Sequence, residues 1–271
     1  MQLRQWSERE ERKYLREPGR EIGWGDYLLV EGLRFCQTAL QTGRRPEACL
    51  MTEAFFRRVQ AGDLDFSWEK LDCPCYLLGE KSFKRHCDTK QPQGLALIFA
   101  KAQLPEARDL RQILRRPGPL RLLALEEVQD PGNMGSIIRS AYVLGYDALL
   151  YSQGSAQPWK QKVLRAAMGA ALSLPLLPYR EGRELLEALD QAGVLSLATS
   201  PRGRELEAYL LEQGRPERFC LFIGNEARGL DEDLLRAAGA CLALPVHGCV
   251  DSFNAAAAAA IFAYRLAPFR D

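Results

Sequence analysis

The chain has 271 residues, of which 47% are hydrophobic, and its formal net charge is +1. This length allows one large domain or two modest ones. Lys and Arg outnumber Asp and Glu by 21 to 17 in residues 1–117, whereas acidic residues lead by 18 to 15 in residues 118–271. The basic excess at the front is compatible with a polyanionic partner, but solvated faces explain it equally well.

Targeting and metal-binding signals are weak. Residues 1–20 are charged and lack an apolar core, and no uninterrupted apolar run of about 18 residues occurs, so neither a signal peptide nor a membrane span is predicted. The eight cysteines form no paired C-x-x-C set, and Cys73 and Cys75 stand too close for a zinc knuckle completed by His86 and Cys87. We expect a cytoplasmic protein with reduced thiols and no metal.

The front half alternates short strands and helices. Leu28–Gly32 predicts a strand that leads into a helix ending near Leu40, and further strands are predicted at 48–51, 75–78 and 95–100. Residues 101–119 are rich in Arg, Gln and Pro and end in Arg-Arg-Pro-Gly-Pro, which is typical of a boundary. The predicted division is a first domain at 1–102, a linker at 103–119 and a second domain at 120–271.

The back half predicts a parallel sheet with helices on both faces, because strands and helices alternate regularly. Ligands of such sheets bind beyond the carboxyl ends of the strands. The predicted strands are 120–125, 148–151, 194–198, 219–224 and 241–244, and the predicted helices are 133–144, 159–171, 182–192, 231–238 and 252–266.

A first polar segment follows the strand at 120–125. It reads Asp-Pro-Gly-Asn-Met-Gly-Ser-Ile-Ile-Arg over residues 130–139, and Asn133 is a candidate helix cap. Arg139 lies four residues after Gly135 and so faces the same rim. The dinucleotide order Gly-x-Gly-x-x-Gly and the phosphate-loop Gly-Lys-Ser/Thr are both absent from the chain, which argues against a nucleotide-dependent oxidoreductase.

Two further polar segments follow later strands. Residues 224–230 place Glu226 between two glycines, which indicates either a loop whose carboxylate accepts hydrogen bonds or a solvated turn. Residues 244–254 lead into six consecutive alanines and carry Asp251, Ser252 and Asn254 at the start of that helix. Alanines favour helix and close packing, while the polar residues beside them favour a tight pocket for a small molecule.

Together the three segments resemble the motifs of one family. Asn133-x-Gly135-x-x-x-Arg139, Gly224-x-Glu226-x-x-Gly229 and Leu244-Pro245-x-x-Gly248-x-x-x-Ser252-Phe253-Asn254 are similar in order and spacing to those of the SpoU (TrmH-type) RNA 2′-O-ribose methyltransferases of the SPOUT superfamily. The resemblance covers residues 120–267. In the front half, Leu28-x-Val30-Glu31-Gly32 and Thr89-x-x-Pro92-x-Gly94 resemble the RNA substrate-binding domain that often precedes the catalytic domain.

The resemblance implies an α/β fold in two parts. The C-terminal parallel sheet would contain a deep trefoil knot, the SPOUT fold, and would pair as a homodimer. The smaller N-terminal α/β domain would have a ribosomal-protein-like RNA-binding fold. The knot would bind S-adenosylmethionine, and the residues expected by position to line that cofactor site are Thr199, Gly224, Leu244 and Phe253.

The resemblance also implies roles in catalysis. Arg139 would orient the ribose hydroxyl beside an RNA phosphate and stabilise its developing charge. The residues expected to hold Arg139, the ribose and the cofactor in register are Asn133, Glu226, Ser252 and Asn254. The chain differs from the residues most common in the family at Asp251, at Phe253 and at the Val246-His247 pair. We interpret His247 as a turn residue. The expected substrate is ribosomal RNA; transfer RNA, or a non-catalytic role as an RNA-binding assembly factor, are the alternatives.

Overall fold

The computed structural model divides the chain into two compact units, Met1–Leu104 and Pro105–Asp271. The predicted linker at 103–119 is not wholly irregular, because Leu110–Leu114 form a short helix whose Ile113 and Leu114 are buried in the core of the second unit. That part of the segment therefore belongs to the second unit. The structure describes residues 3–14, 26–87, 89–104, 109–247 and 252–267.

The first unit is a mixed sheet with helices. Its five strands lie in the order β1-β4-β3-β5-β2; β4 is parallel to β1 and β3, whereas β5 is antiparallel to β2 and β3. The strands predicted in this half are present. The elements are β1 (Arg4–Gln5), α1 (Glu8–Tyr14), β2 (Tyr27–Glu31), α2 (Leu33–Gln41), β3 (Ala48–Thr52), α3 (Glu53–Gln60), β4 (Cys75–Leu78), α4 (Glu80–His86) and β5 (Leu95–Ala100).

The two segments of the first unit that resemble the substrate-binding domain contact each other. The hydroxyl of Thr89 donates to the carboxylate of Glu31, a side chain that is buried. Gly94 has a φ of +84°, and a Cβ there would lie 2.5 Å from Oγ1 of Thr52. Glycine is therefore required where this turn enters β5, because the left-handed backbone and the close hydroxyl both exclude a larger residue.

The second unit contains the predicted parallel sheet. All five strand pairs are parallel, and the order is β11-β9-β10-β6-β7-β8. The elements are α5 (Leu110–Leu114), β6 (Leu120–Leu125), α6 (Pro131–Val143), β7 (Ala148–Ser152), α7 (Gln161–Ala167), β8 (Leu176–Tyr179), α8 (Gly182–Gln191), β9 (Leu195–Glu205), α9 (Leu206–Gln213), β10 (Arg218–Ile223), α10 (Glu232–Ala237), β11 (Ala240–Ala243) and α11 (Ala255–Leu266).

Both faces of this sheet are buried. On one face, Leu122 and Phe222 share a core with residues of α5, α8 and α10, and their strand neighbours Leu123 and Leu221, which point the other way, are also fully buried. Helix α6 packs against both α7 and α11. Strands as rich in apolar residues as β6 and β10, each with one arginine near its start, are typical of a sheet covered on both faces.

Some predicted elements were wrong in detail. The sequence analysis missed β8, whose Pro178 is compatible only with the sheet edge that this strand occupies, and it missed α9. The helix predicted at 159–171 ends at Ala167, because Met168 and Gly169 both adopt left-handed backbone angles and a short 3₁₀ turn follows. Strand β9 continues to Glu205 rather than ending at Ala198, since its second half pairs with β11.

Candidate functional site

The polar loops after β6 and β10 are neighbours at the carboxyl edge of the sheet. These two strands pair in parallel over their whole length, with Leu125 opposite Ile223. The N–H of Glu126 continues this pairing by donating to the carbonyl oxygen of Ile223 at 2.8 Å. The edge predicted to bind ligands therefore carries the first and second polar segments side by side.

Asp130, rather than Asn133, caps helix α6. Its Oδ1 accepts a hydrogen bond from the N–H of Asn133 at 2.8 Å, and Pro131 occupies the first helical position. Aspartate followed by proline is a strong helix-start signal, because the missing N–H of proline needs no partner there. The sequence prediction of Asn133 as the cap was wrong, and its side chain is consequently available for other contacts.

Three predicted site residues form one hydrogen-bonded network. Nδ2 of Asn133 donates to Oε1 of Glu226 at 3.0 Å, and Nδ2 of Asn254 donates to Oδ1 of Asn133 at 3.0 Å. Asn254 also caps α11, since its Oδ1 accepts from the N–H groups of Ala256 and Ala257. Residues from all three polar segments are thus joined, although they are far apart in the chain.

Glu226 accepts several hydrogen bonds in its charged form. Burial by itself would raise the pKa of this carboxyl group, but donation from Asn133 and from the backbone N–H groups of Asp130 and Gln129 outweighs it and leaves the pKa below the usual value. Hydrogen bonds to the ionised form act in this direction. The carboxylate therefore remains charged and ties the second segment to the first.

A pH-dependent stability follows for Glu226. Because folding lowers the pKa of Glu226, its carboxylate stabilises the fold at pH values above the pKa of the unfolded state, which is near 4.5. That stabilisation is lost as the pH falls through the pKa of the folded state. We expect Glu226→Gln to melt below the unchanged protein at neutral pH, with the difference narrowing in acid. Thermal unfolding at stepped pH measures this, and an Asn133→Ala background should shrink the pH dependence. A difference that stays constant across pH would contradict the assignment.

The loop after β10 closes tightly on itself. A Cβ at Gly224 would lie 2.3 Å from the carbonyl carbon of Gly229, so only glycine fits. Asn225 braces the loop: its Oδ1 accepts from the N–H groups of Ala227 and Arg228, and its Nδ2 donates to the carbonyl oxygen of Glu127 at 2.8 Å. Sequence analysis missed Asn225, although asparagine after a glycine is typical of such turns.

Glu127 is a second residue that the sequence analysis missed. It has a φ of +53°, which is strained for a residue with a side chain, and its carboxylate pairs with the guanidinium of Arg228. The N–H of Glu127 donates to Oγ of Ser152 at 2.8 Å. Bonds from two neighbouring loops therefore hold the left-handed conformation, and no sequence signal indicated it.

A cavity of about 320 Å³ opens between the second and third polar segments. All four residues predicted to bind the cofactor line it: Thr199, Gly224, Leu244 and Phe253. Glu226 and Ser252 line it as well. Oγ1 of Thr199 donates to the carbonyl oxygen of Phe222 at 2.8 Å, which fixes the hydroxyl against the sheet edge. The remaining lining residues are Ser200, Pro201, Ile223, Asn225, Ala227, Arg228, Gly229, Val246, Ala255, Ala258 and Phe262.

The lining of this cavity fits S-adenosylmethionine. The cavity falls at the small end of the range for small-molecule sites and mixes apolar walls with polar groups. Leu244, Phe253 and Phe262 provide surfaces suited to a purine ring. Gly224 and Gly229, which have no side chains, line the cavity with backbone atoms. Here the cofactor would supply an electrophilic methyl group bound to a sulfonium.

The other predicted residues fall around this network. Arg139 lies on α6, is exposed, and makes no hydrogen bond or ion pair with the described part of the chain. Ser252 lines the cavity, and His247 is exposed beyond β11. Gly248 and Asp251, which the sequence analysis included in the third segment, lie outside the described residues. The predicted trefoil knot depends on the path through 248–251 and stays a prediction.

The described residues contain neither a cluster of metal-ligating side chains nor a helix that could cross a membrane. No group of three or more His, Cys, Asp or Glu side chains in that part of the chain is placed to hold a metal ion. Cys73 and Cys75 are instead buried in the first unit. None of the helices within the same residues has both the length and the apolar character needed to cross a membrane.

A parallel sheet whose three polar segments are joined by hydrogen bonds, two of them lining a cavity, defines a ligand-binding α/β domain, and comparison with known proteins identifies its family. The SpoU rRNA Methylase family matches residues 121–264, and the RNA 2′-O ribose methyltransferase substrate binding family matches residues 29–105. The first match spans more than half of the chain. The chain therefore belongs to the SpoU rRNA methylase family.

Individual proteins agree with this assignment. The chain is 32% identical over 194 residues to the 23S rRNA (guanosine(2553)-2′-O)-methyltransferase RlmP of Bacillus subtilis, covering 71% of this chain and 72% of that protein. It is 28% identical to the mitochondrial rRNA methyltransferase 3A of Danio rerio, of which it spans 62%. An AdoMet-bound rRNA methyltransferase structure from Sinorhizobium meliloti matches with a TM-score of 0.70 and 26% identity, covering 89% and 87% of the two chains.

Proposed function

We propose that this protein transfers the methyl group of S-adenosylmethionine to a ribose 2′-hydroxyl of structured RNA, with ribosomal RNA as the substrate. The observation that carries the proposal is the network of Asn133, Glu226 and Asn254 beside the 320 Å³ cavity. The family match and the ribosomal RNA specificity in the names of the relatives support the choice of substrate.

Methyl transfer to a ribose requires the site to position the 2′-hydroxyl, which is a poor nucleophile. A ribose hydroxyl holds its proton well above neutral pH, so the site must orient it in line with the methyl group and stabilise its developing charge. The exposed guanidinium of Arg139 can bind an RNA phosphate and turn toward that hydroxyl. In this proposal Arg139 is the catalytic residue. Glu226, whose carboxylate already accepts from Asn133 and from two backbone N–H groups, is a structural acceptor rather than a base.

The neighbouring residues keep this arrangement in register. Glu226 and Asn254 hold the side chain of Asn133 from both sides, so its position on the rim of α6 is fixed before RNA arrives. Ser252 lines the cavity, and its hydroxyl is proposed to contact either the ribose or the cofactor. Thr199, Gly224, Leu244 and Phe253 are proposed to bind the cofactor itself.

Titration calorimetry and methyl transfer together test the proposed function. We expect the protein to bind S-adenosylmethionine and to transfer a tritiated methyl group from it to an unmodified transcript of bacterial large-subunit ribosomal RNA. Alkaline hydrolysis should leave the label in an uncleaved dinucleotide, since 2′-O-methylation protects the following phosphodiester from alkali. Absence of cofactor binding at millimolar concentration would refute the proposal, and label on a base would refute its chemistry.

We further propose that the second unit pairs as a homodimer through α6 and α11. These helices pack together and expose apolar side chains, with Val143 73% and Ile261 38% accessible. Tyr142 and Tyr264 are exposed on the same two helices. Neighbouring exposed apolar residues are typical of an interface between subunits. The six alanines leave room for close approach, because Ala257 is exposed one turn before Ile261.

Charge substitutions test this interface. We expect Val143→Glu and Ile261→Glu to convert a dimer into a monomer, because each would bury a carboxylate against apolar surface. Leu211→Glu is the matched control: Leu211 is 87% exposed but lies on α9, so its variant should keep the dimer. Light scattering measures the mass, and a dimer unaffected by both interface variants would contradict the proposed face.

The first unit is proposed to deliver the RNA. Its match to a substrate-binding family and the basic excess of the front half support phosphate contacts there. The domain limits expected from the sequence, 1–102 and 120–271, are retained with α5 assigned to the second unit. We also retain the cytoplasmic location expected from the sequence.

A further inference from the structure

Helices α6 and α7 cross almost in backbone contact. A Cβ on Gly135 would lie 2.5 Å from both Cβ of Ala166 and the carbonyl oxygen of Val163. Only glycine allows this crossing, so Gly135 fixes where α7 lies against the helix that carries Asn133 and Arg139. The first turn of α7 is consequently brought beside the N-terminus of α6.

That first turn is where the lysines of the second unit are found. Residues 105–271 contain only two lysines, Lys160 and Lys162. Both are exposed, and Nζ of Lys162 lies 3.8 Å from Oδ2 of Asp130. The other carboxylate oxygen of Asp130 accepts from the N–H of Asn133. The ammonium of Lys162 is therefore one side chain away from the proposed reaction site.

The ion pair with Asp130 is poorly suited to a purely structural role. The two side chains are 64% and 49% exposed, and the charges are separated by more than hydrogen-bond distance, so water and salt screen the attraction strongly. A flexible ammonium has three donors and can exchange a carboxylate for a phosphate. Such a pair holds a cation in place without binding it tightly.

Along the axis of α6, Asn133 lies between the N-cap Asp130 and Arg139. Asp130, which holds Lys162, and Arg139 are nine residues apart, which is roughly 13 Å along the helix axis. This distance exceeds the spacing of successive phosphates along one nucleic-acid strand. Two cations so placed can contact phosphates on either side of a ribose held at Asn133.

We propose that Lys162 is a positioning residue that binds a backbone phosphate of the substrate RNA flanking the reacting ribose, and that Asp130 holds its ammonium at the site until RNA arrives. The inference rests on the proposed function, because it identifies a second phosphate contact of the same site. Lys162 fixes the strand, while Arg139 acts at the reacting hydroxyl. The loss of Lys162 therefore weakens RNA binding and leaves the chemical step intact.

The test compares variants on both sides of the pair. Lys162→Gln is expected to raise the Kd and KM for an unmodified transcript of bacterial large-subunit ribosomal RNA roughly fivefold, with kcat and cofactor affinity unchanged. A plot of log K against log salt should become shallower by about 0.7 to 0.9. Asp130→Asn preserves the helix cap but removes the competing charge, so RNA binding should stay equal or tighten. Lys162→Arg should retain binding.

Arg183→Gln is the matched control. Arg183 is also exposed and paired with a carboxylate, Glu187, but it lies on α8 rather than on α6 or α7. Its variant should keep the RNA affinity of the unchanged protein. An unchanged salt slope in Lys162→Gln, or equal losses in Lys162→Gln and Asp130→Asn, would overturn the inference, since a structural ion pair is damaged equally from either end.

The outcomes also separate this inference from the proposed function. If the unchanged protein binds the transcript but transfers no methyl group to it, the proposed function fails, and the salt slope of binding still decides the role of Lys162. If the unchanged protein methylates the transcript and Lys162→Gln has the same KM and salt slope, the inference fails alone.

Discussion

Arg139→Ala is expected to lower kcat for methyl transfer by about 100- to 1,000-fold, which is the usual effect of removing one group that stabilises charge in a transition state. The affinity for S-adenosylmethionine should not change, because Arg139 does not line the cavity. The melting temperature should not change either, since Arg139 makes no hydrogen bond or ion pair with the described part of the chain. A single-turnover assay with saturating RNA measures the effect.

Two further variants define what Arg139 contributes. Arg139→Lys keeps the charge but loses the planar fork, so it should recover only part of the rate if bidentate contact with a phosphate and the hydroxyl matters. Arg183→Ala removes another exposed arginine elsewhere in the unit and should leave the rate unchanged. Full activity in Arg139→Ala with normal cofactor binding would show that another residue activates the hydroxyl.

Ala258→Leu is expected to block the cofactor cavity. Ala258 lines the 320 Å³ space from the first turn of α11, where a leucine side chain would occupy volume needed by the ligand. Overpacking costs about 1 to 3 kcal/mol, which corresponds to roughly 5- to 150-fold in affinity. Calorimetry should show this loss, while the melting temperature without cofactor stays close to that of the unchanged protein because the space is open.

Ala237→Leu is the control for Ala258→Leu. Ala237 is an exposed helical alanine at the end of α10, and it does not line this cavity. The same substitution there should leave cofactor affinity unchanged. Normal binding of S-adenosylmethionine by Ala258→Leu would contradict the placement of the cofactor. Unfolding of the variant would show instead that neighbouring side chains already fill the space beside Ala258.

Much of the second unit could be predicted from its sequence, for identifiable reasons. Strands β6 and β10 are apolar except for Arg121 and Arg218 near their starts, and they are followed by glycine, proline and polar residues. Both the burial of these strands and the positions of their carboxyl ends could therefore be predicted. The resemblance to the family then implied that Asn133, Glu226 and Asn254 act at one site. The hydrogen bonds that join them agree with that grouping.

The contacts that shape the site were harder to predict. The left-handed backbone of Glu127 depends on bonds from Ser152 and Asn225, which are remote in sequence and carry no local signal. The edge strand β8 was missed because Pro178 within it and Pro175 just before it argue against a strand unless the sheet order is known. The sequence indicated no role for Lys162, because only the helix crossing at Gly135 brings this residue to Asp130.

The most direct test of the account is a ribose-methylation map of ribosomal RNA from cells with and without this protein. We predict that one 2′-O-methyl group disappears in its absence, returns with the unchanged protein, and does not return with Arg139→Ala expressed at the same level. Identical ribose-methylation maps in all of these cells would contradict the proposed ribosomal RNA 2′-O-methylation. So would a methyl group that is lost instead from a base or from transfer RNA.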